Sequence, residues 1–151
     1  MNRTRTSLFI AVLIIVLSFH VSAQEFLTAH FLYVGQAEAT LLKGPDFTVL
    51  IDAGDRGRHD VVPLLKRAGV EELDVVVISH PHADHIGQLP EVLAEFPVKE
   101  VWMSGKEHPT PAFEEALDAL LASDAGYYEP RAGERVHVGS LVMEILNPRL
   151  V

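Results

Sequence analysis

Apolar residues between positions 24 and 151 occur in two patterns, short strand-like runs and longer stretches with helical spacing. The short runs predict strands at residues 25–34, 38–42, 47–51, 73–78, 98–103, 135–138 and 141–146. The run at residues 73–78, LDVVVI, is strongly β-branched, which is typical of a strand buried on both faces. Gly139 and Ser140 join the last two runs as a hairpin. Because helical stretches alternate with the middle strands, this order predicts an α/β fold with helices packed on a sheet.

Three stretches have apolar residues at spacings of three and four, which predict amphipathic helices. The first begins after Asp60, as N-cap, and ends at Gly69, and the second covers residues 89–96. The third begins at Thr110, an N-cap that Pro111 follows at the first helical position. The expected inward face of the third helix comprises Phe113, Ala116, Leu117, Leu120 and Leu121.

The first 23 residues have the pattern of a secretory signal peptide. Residues 1–6 are basic, residues 8–17 are all apolar, and small residues precede the expected cleavage site after Ala23. A transmembrane helix needs about 20 apolar residues, and the apolar run at residues 8–17 is about half that length, so we expect no stable membrane span. The sequence therefore predicts a signal peptide at residues 1–23, one domain at residues 24–151, and a secreted or periplasmic protein.

Composition limits the partners and the metal chemistry of the chain. Its 151 residues include 12 Lys and Arg, 21 Asp and Glu, and no cysteine. The formal net charge of −9 argues against strong non-specific binding of nucleic acids, which requires a basic surface. Without cysteine there are no disulfides and no zinc site built on thiolates. A metal site in this chain would therefore use histidine and carboxylate ligands.

The string HPHADH at residues 80–85, directly after the buried strand, is the clearest chemical signal. Imidazole is the commonest metal ligand, and a carboxylate completes a donor set suited to Zn²⁺ or another divalent metal. Residues of a loop at the end of a strand can converge, so these ligands need only local geometry. The alternative is a polar loop with hydrogen-bonded histidines, but four ionisable side chains within six residues favour a metal site.

Three segments resemble motifs of the metallo-β-lactamase superfamily. SHPHADHIGQL at residues 79–89 resembles its metal-binding signature, and LIDAG at residues 50–54 resembles its L-I-D-x-G motif. FLYVGQAEA at residues 31–39 resembles the opening F-x-x-V-G-Q-G-D-A of the extracellular domain of ComEC-type DNA-uptake proteins and their secreted relatives. The resemblance implies the N-terminal part of an αββα sandwich, with a mixed sheet and flanking helices.

The resemblance also implies roles for the motif residues. His80 and His82 would bind a first metal, and Asp84 and His85 would bind a second. Asp84 would in addition act in catalysis, by accepting a hydrogen bond from the attacking hydroxide. A catalytic zinc usually has three protein ligands and an open position, so each metal is one ligand short. The family supplies the missing ligands later in its chain, so we expect this domain to be truncated at its C-terminus.

The chain departs from the family motifs at Ala37, Glu38 and Gln88, where the motifs have Gly, Asp and Gly. The departure at Glu38 leaves the role of its carboxylate open.

Three residues outside the string are candidates for supporting roles. Asp52 either caps a turn or accepts a hydrogen bond that orients a ligand histidine. Gln36, which follows Gly35 in a turn, has the same two interpretations. His108, before the third helix, is a third ligand, a pocket residue or an ordinary loop histidine. Residues that we expect to be structural or solvated are His30, Arg56, Arg58, His59, Trp102, Tyr127, Tyr128 and His137.

These observations predict a secreted hydrolase that uses one or two zinc ions and acts on a phosphodiester or on a small-molecule ester or amide. The alternative is a metal-binding fragment that is catalytically incomplete. A β-lactamase that degrades antibiotics shares only the HxHxDH string with this chain. A truncated sandwich would leave one apolar sheet face uncovered and its strand edges exposed, so we also expect self-association.

Overall fold

The computed structural model describes residues 26–148, so the expected signal peptide lies outside the described residues. This range contains the strands β1 Thr28–Phe31, β2 Thr40–Lys43, β3 Thr48–Ile51, β4 Leu73–Val77, β5 Val98–Trp102, β6 Gly126–Tyr128, β7 Arg135–Val138 and β8 Leu141–Glu144. Its helices are α1 Val61–Arg67, α2 Ala83–Ile86, α3 Leu89–Glu95 and α4 Pro111–Ala122. None of the helices within residues 26–148 has the length and apolar character needed to cross a membrane.

Six strands form one mixed sheet in the order β1-β2-β3-β4-β5-β6. The pairs β1–β2 and β2–β3 are antiparallel, whereas β3, β4, β5 and β6 run parallel to their neighbours. Helices lie between successive parallel strands, as parallel pairing requires. The predicted α/β class with a mixed sheet and flanking helices is confirmed. This topology places the carboxyl ends of β3, β4 and β5 at one edge, where open α/β sheets bind ligands.

Alternate residues of the central strands pack into separate hydrophobic clusters on the two faces of the sheet. Leu50 and Val76 belong to the cluster that also contains the apolar faces of the helices. Val49 and Val75 pack instead with Val138 of β7, in a cluster that the β7–β8 hairpin covers. Val49 and Val75 are 0% and 3% exposed. The expectation of an uncovered apolar face is therefore wrong for the centre of this sheet, because the hairpin begins a second layer there.

The β7–β8 hairpin is tethered to the turn between β2 and β3. The amide and the hydroxyl of Ser140 both donate to Oδ1 of Asp46, at 3.1 and 2.6 Å. The hydrogen bond from the Ser140 hydroxyl, followed by the one from its amide, lowers the pKa of Asp46 below the ordinary 3.8. Gly139 has a φ of 55°, and a Cβ there would overlap the Asp46 carbonyl oxygen. The close approach of the two turns therefore depends on glycine at this position.

Several element boundaries differ from the sequence-based expectations. The strand expected at residues 25–34 is confined to Thr28–Phe31, the residues that pair with β2. The strand expected at residues 141–146 ends at Glu144, the last residue that pairs with β7. The short elements α2 and β6 were not predicted, because four and three residues are too few to show a period.

One expectation about the helices is wrong, and another is confirmed only in position. Leu121 of α4 is 84% exposed, whereas Ala112 is buried instead. The buried face of α4 follows Ala112, Ala116 and Leu120, and Leu121 lies one residue beyond this row. At the start of α1, Asp60 occupies the N-cap position, but its side chain makes no capping hydrogen bond. The Asp60 carboxylate accepts from Arg58 and Gln88 instead. Thr110 does cap α4 as expected, since its Oγ1 accepts from the amide of Phe113.

The first strand of the sheet, β1, forms one of its edges. Phe31 at its end and Tyr33 just beyond are 82% and 85% exposed. An edge strand with exposed aromatic side chains favours pairing with another chain. Self-association stays a prediction.

Candidate metal centre

The candidate site lies where β3 and β4 end side by side. The amide of Asp52, one residue past β3, donates to the Val77 carbonyl at 2.8 Å and so extends the parallel ladder. The HxHxDH string begins three residues past Val77, at His80. Asp52 has a φ of 60°, a left-handed conformation that Asp tolerates better than most residues. This turn places the Asp52 side chain under the string.

Main-chain hydrogen bonds join three loops at this edge. The amide of Glu38 donates to the Asp84 carbonyl at 3.1 Å, and the amide of Gly54 donates to the Glu38 carbonyl at 2.9 Å. The amide of Gly87 donates in turn to the Gly54 carbonyl at 3.0 Å. A Cβ at Gly87 would overlap the backbone nitrogen of Arg56. The glycine therefore permits the motif to approach the loop after β3 closely.

The buried carboxylate of Asp52 organises the side chains of the motif. Its Oδ1 accepts from the Ser79 amide at 2.8 Å, and its Oδ2 accepts from the Ser79 hydroxyl at 2.7 Å. Nδ1 of His85 lies 2.7 Å from the same Oδ2. Since an ionised carboxylate only accepts hydrogen bonds, Nδ1 of His85 is the protonated ring nitrogen. Nε2 of His85 is thereby left with a free lone pair, as a metal ligand requires.

Ser79 extends this arrangement to a second imidazole. Its hydroxyl proton is directed at Asp52, so its oxygen accepts from Nδ1 of His80 at 3.1 Å. His80 is therefore also protonated at Nδ1 and has a free Nε2. Burial, followed by the neighbouring imidazoles of His85 and His82, lowers the pKa of His80. A lowered pKa favours the neutral form that binds metals.

Four imidazole rings form one cluster at this edge. The ring centroid of His80 lies 3.9 Å from that of His85 and 4.5 Å from that of His82. The ring of His108, on the loop between β5 and α4, lies 4.9 Å from that of His82. The structure thus brings together the four motif residues, Asp52 and His108. The proximity of His108 supports a role at the site over an ordinary loop position.

The donor atoms of this cluster fit a zinc ion in their chemistry and, for one pair, in their spacing. Oδ2 of Asp84 lies 3.6 Å from Nε2 of His85. Two ligand atoms that are each about 2.1 Å from a tetrahedral zinc lie about 3.4 Å apart. Between residues 26 and 148, no group of three or more His, Asp or Glu side chains is yet arranged to hold a metal ion.

Residues 32–149 match the family described as the metallo-beta-lactamase superfamily. The chain belongs to this superfamily. Members of the superfamily bind divalent metals. The resemblance of this chain to the superfamily, which three motifs predicted, is therefore confirmed over most of the chain.

Named relatives within the superfamily match only parts of their own length. The chain is 25% identical over 92 residues to ComE operon protein 3 of Bacillus subtilis, covering 61% of this chain and 12% of that protein. It is 34% identical over 82 residues to metallo-beta-lactamase domain-containing protein 1 of Xenopus laevis, covering 49% of this chain and 34% of that protein. The chain therefore spans about a third or less of these relatives.

A solved structure shows the same fold. The crystal structure of the metallo-beta-lactamase SMB-1 in a complex with mercaptoacetic acid matches with a TM-score of 0.56 and 18% identity. The match covers 76% of this chain and 48% of SMB-1. At this identity the likeness concerns the fold alone.

The remaining residues considered in the sequence analysis make no contact with the histidine cluster among the interactions described for residues 26–148. Gln36 is exposed in the loop before β2, and His59 pairs with Glu91 at 3.0 Å. Arg56 forms an ion pair with Glu115, and Arg58 forms one with Asp60. His30 and His137 lie on β1 and β7, as expected, and Trp102 packs edge-on against Tyr128.

Sequence reasoning missed the roles of Ser79 and Gln88. Gln88 occupies a glycine position of the superfamily motif, yet it is fully buried. Its Oε1 accepts from the amide of Val61 at 2.9 Å, which supplies the cap of α1 that Asp60 does not provide. Its Nε2 donates to the Asp55 carbonyl and to the Asp60 carboxylate. The departure from glycine at this position was the only sequence signal for this role.

Proposed function

We propose that the chain is a secreted, zinc-dependent hydrolase whose one or two metal ions are held by His80 and His82 and by Asp84 and His85. The observation that carries this proposal is the hydrogen-bond network of Asp52 and Ser79. This network favours the tautomer of His80 and His85 in which Nδ1 carries the proton, and it leaves Nε2 of each ring available. A polar loop with merely satisfied histidines has no need for two rings fixed in the same tautomer.

The residues of the cluster have distinct tasks in this proposal. Zinc would supply a Lewis acid that activates water and polarises the scissile bond. Asp84, with a side chain that is 49% exposed, would accept a hydrogen bond from the attacking water. Asp52 holds the proton on Nδ1 of His85 throughout, because its carboxylate is buried and accepts three hydrogen bonds. His108 lines the approach to His82 on the side of α4.

The motif at residues 31–39, which resembles DNA-uptake proteins, supports phosphodiesters as substrates. The net charge of −9 disfavours a long polyanion, so we propose small phosphodiesters, esters or amides.

Zinc content and turnover test this proposal together. Purified protein is loaded with zinc, dialysed, and assayed on bis(p-nitrophenyl) phosphate and p-nitrophenyl esters. We expect His82→Ala and Asp84→Ala each to lower zinc retention at least tenfold and to abolish hydrolysis. His137→Ala is the matched control, because His137 is an exposed imidazole on β7. Equal zinc content in all these proteins would contradict the assignment.

A second candidate function is metal binding without hydrolysis. It is favoured by the absence of a preformed three-ligand group within residues 26–148. Zinc retention that depends on His82 and Asp84, without turnover of any substrate, would select this alternative.

Export is tested separately from the chemistry. The proposed signal peptide predicts a mature N-terminus at Gln24, which N-terminal sequencing of the exported protein determines. Leu13→Arg places a charge in the apolar run at residues 8–17 and should block export. An exported Leu13→Arg protein that still begins at Gln24 would refute the signal peptide.

A further inference from the structure

A groove runs along one side of α4, between this helix, the β5–α4 loop and β6. Its volume is about 730 Å³, within the roughly 300–1,000 Å³ range of small-molecule sites. We call it the α4 groove. Its apolar lining comprises Met103, Phe113, Leu117, Leu120, Leu121 and Tyr127.

The α4 groove begins at the candidate metal centre. His108 lines its wall, and the ring of His108 is also 4.9 Å from that of His82. His108 is therefore the residue at which the groove adjoins the histidine cluster.

The β5–α4 loop, which forms one end of the groove, is held by contacts to residues after β6. The Arg131 guanidinium donates to the Ser104 carbonyl at 3.1 Å and pairs with Glu129. Gly105 has a φ of 76°, and a Cβ there would overlap the Glu129 carboxylate. The Tyr127 hydroxyl donates to the same carboxylate at 2.8 Å. The groove therefore has a fixed wall opposite α4.

The chemistry of the lining favours an apolar occupant. The charged side chains that line the groove, Lys106, Glu107 and Glu114, have both signs and a net negative charge. A polyanion would find no concentration of positive charge here. Leu121 is 84% exposed and Tyr127 is 49% exposed, so both keep apolar surface available to a ligand.

We propose that the α4 groove binds an aliphatic or aromatic group of the substrate, whose hydrolysable bond lies at the histidine cluster. This inference rests on the proposed hydrolase function and assigns its substrate class: esters or amides with an extended apolar substituent, rather than nucleic acid. The groove binds the substituent by removing its surface from water, and His108 stands where the substituent meets the reacting bond.

Two measurements on the purified protein test the inference. The first compares kcat/KM for p-nitrophenyl acetate, butyrate and octanoate with zinc bound. The second follows methyl resonances of Leu117 and Leu121 by NMR during titration with ethanol, hexanol and octanol, without zinc. Each methylene that enters the groove should raise affinity about two- to fourfold. We expect kcat/KM to rise at least tenfold from acetate to octanoate, and octanol to shift these resonances at the lowest concentration.

Leu121→Glu is the diagnostic variant, because its side chain is exposed and the substitution leaves the core unchanged. We expect it to lower the octanoate-to-acetate ratio of kcat/KM at least fivefold. Leu146→Glu is the matched control, since Leu146 is 77% exposed and lies outside the groove. It should leave the ratio unchanged.

The outcomes separate this inference from the proposed function. Hydrolysis without dependence on chain length would overturn the inference and leave the hydrolase intact. Octanol binding at Leu117 and Leu121 without turnover of any ester would support the apolar ligand class and refute the proposed hydrolase activity. If octanol shifts neither resonance, or if Leu121→Glu instead breaks a dimer, the groove has another occupant and the inference is wrong.

Discussion

Replacing Asp52 with asparagine should weaken zinc binding and lower the stability of the fold by similar free energies. The Asp52 carboxylate accepts from the Ser79 amide, the Ser79 hydroxyl and Nδ1 of His85. Asparagine keeps the size of the side chain and tolerates the φ of 60°. It has only one acceptor oxygen, however. If that oxygen stays on the Ser79 amide, the NH₂ group faces the protonated Nδ1 of His85, and two donors oppose each other.

The magnitude follows from the contact that is lost. A hydrogen bond to a charged group contributes about 1.5–3 kcal/mol, so Asp52→Asn should lower the free energy of unfolding by about 2 kcal/mol. Loss of the group that orients a ligand histidine typically lowers metal affinity about 10–100-fold. This range corresponds to about 1.4–2.7 kcal/mol of binding free energy. His85 would no longer be held with its Nε2 free. The loss of stability and the loss of zinc affinity would therefore both follow from the broken contact between Asp52 and His85.

Competition between the protein and a chromophoric chelator at pH 7.5 measures the zinc affinity, and urea unfolding in excess chelator measures stability. Asp74→Asn is the matched control. The Asp74 carboxylate accepts from the Thr48 amide at 2.7 Å and from Lys99 at 2.6 Å. Asp74 is the second residue of β4, at the end remote from the site. The Asp74→Asn variant should lose a comparable free energy of unfolding, and its zinc affinity should equal that of wild type. Equal zinc affinities in wild type, Asp52→Asn and Asp74→Asn would refute the positioning role of Asp52.

Three further predictions concern contacts that join loops and turns of the fold. Asp46→Asn should loosen the β7–β8 hairpin and speed amide exchange there. Because the pKa of Asp46 is lowered on folding, its stabilisation is present above pH 3.8 and is lost as pH falls through the lowered value, so the protection factors of the wild-type hairpin amides, which correct for the intrinsic pH dependence of exchange, should fall on acidification; unchanged protection factors would contradict this account. Gln88→Ala should lower the free energy of unfolding by about 2–4 kcal/mol, since it leaves the Val61 amide without its acceptor; a melting temperature within about 2 °C of wild type would argue against this cap. Gly87→Ala should cost about 3 kcal/mol or more through overlap with the Arg56 backbone, and a soluble variant of wild-type stability in urea would show that the loop yields easily.

The parts of the fold that the sequence predicted have long or repeated patterns. The β-branched run of β4 and the apolar spacing of α4 each extend over enough residues to define a period. β6 has only three residues, Gly126–Tyr128, and its strand conformation depends on pairing with β5. Leu121 was assigned to the core because spacing alone does not distinguish a side chain under a sheet from one that lines an open groove.

The candidate site was predictable only where its residues are neighbours in sequence. The HxHxDH string is local, so its spacing alone indicated the chemistry. The bonds from Ser79 and His85 to Asp52 span 27 and 33 residues, and they form because β3 and β4 are parallel neighbours. His108 joins the cluster for a similar reason, since its loop follows β5, the next strand of the sheet.

The main-chain bonds of Glu38 bear on which substitutions this loop can accept during evolution. Its amide and its carbonyl join Asp84 to Gly54, so its contribution to the loop assembly comes from atoms that every residue except proline possesses. The exchange of the superfamily's aspartate for glutamate therefore leaves the assembly intact. The side chain at position 38 can therefore change while the loops around the HxHxDH string keep their arrangement.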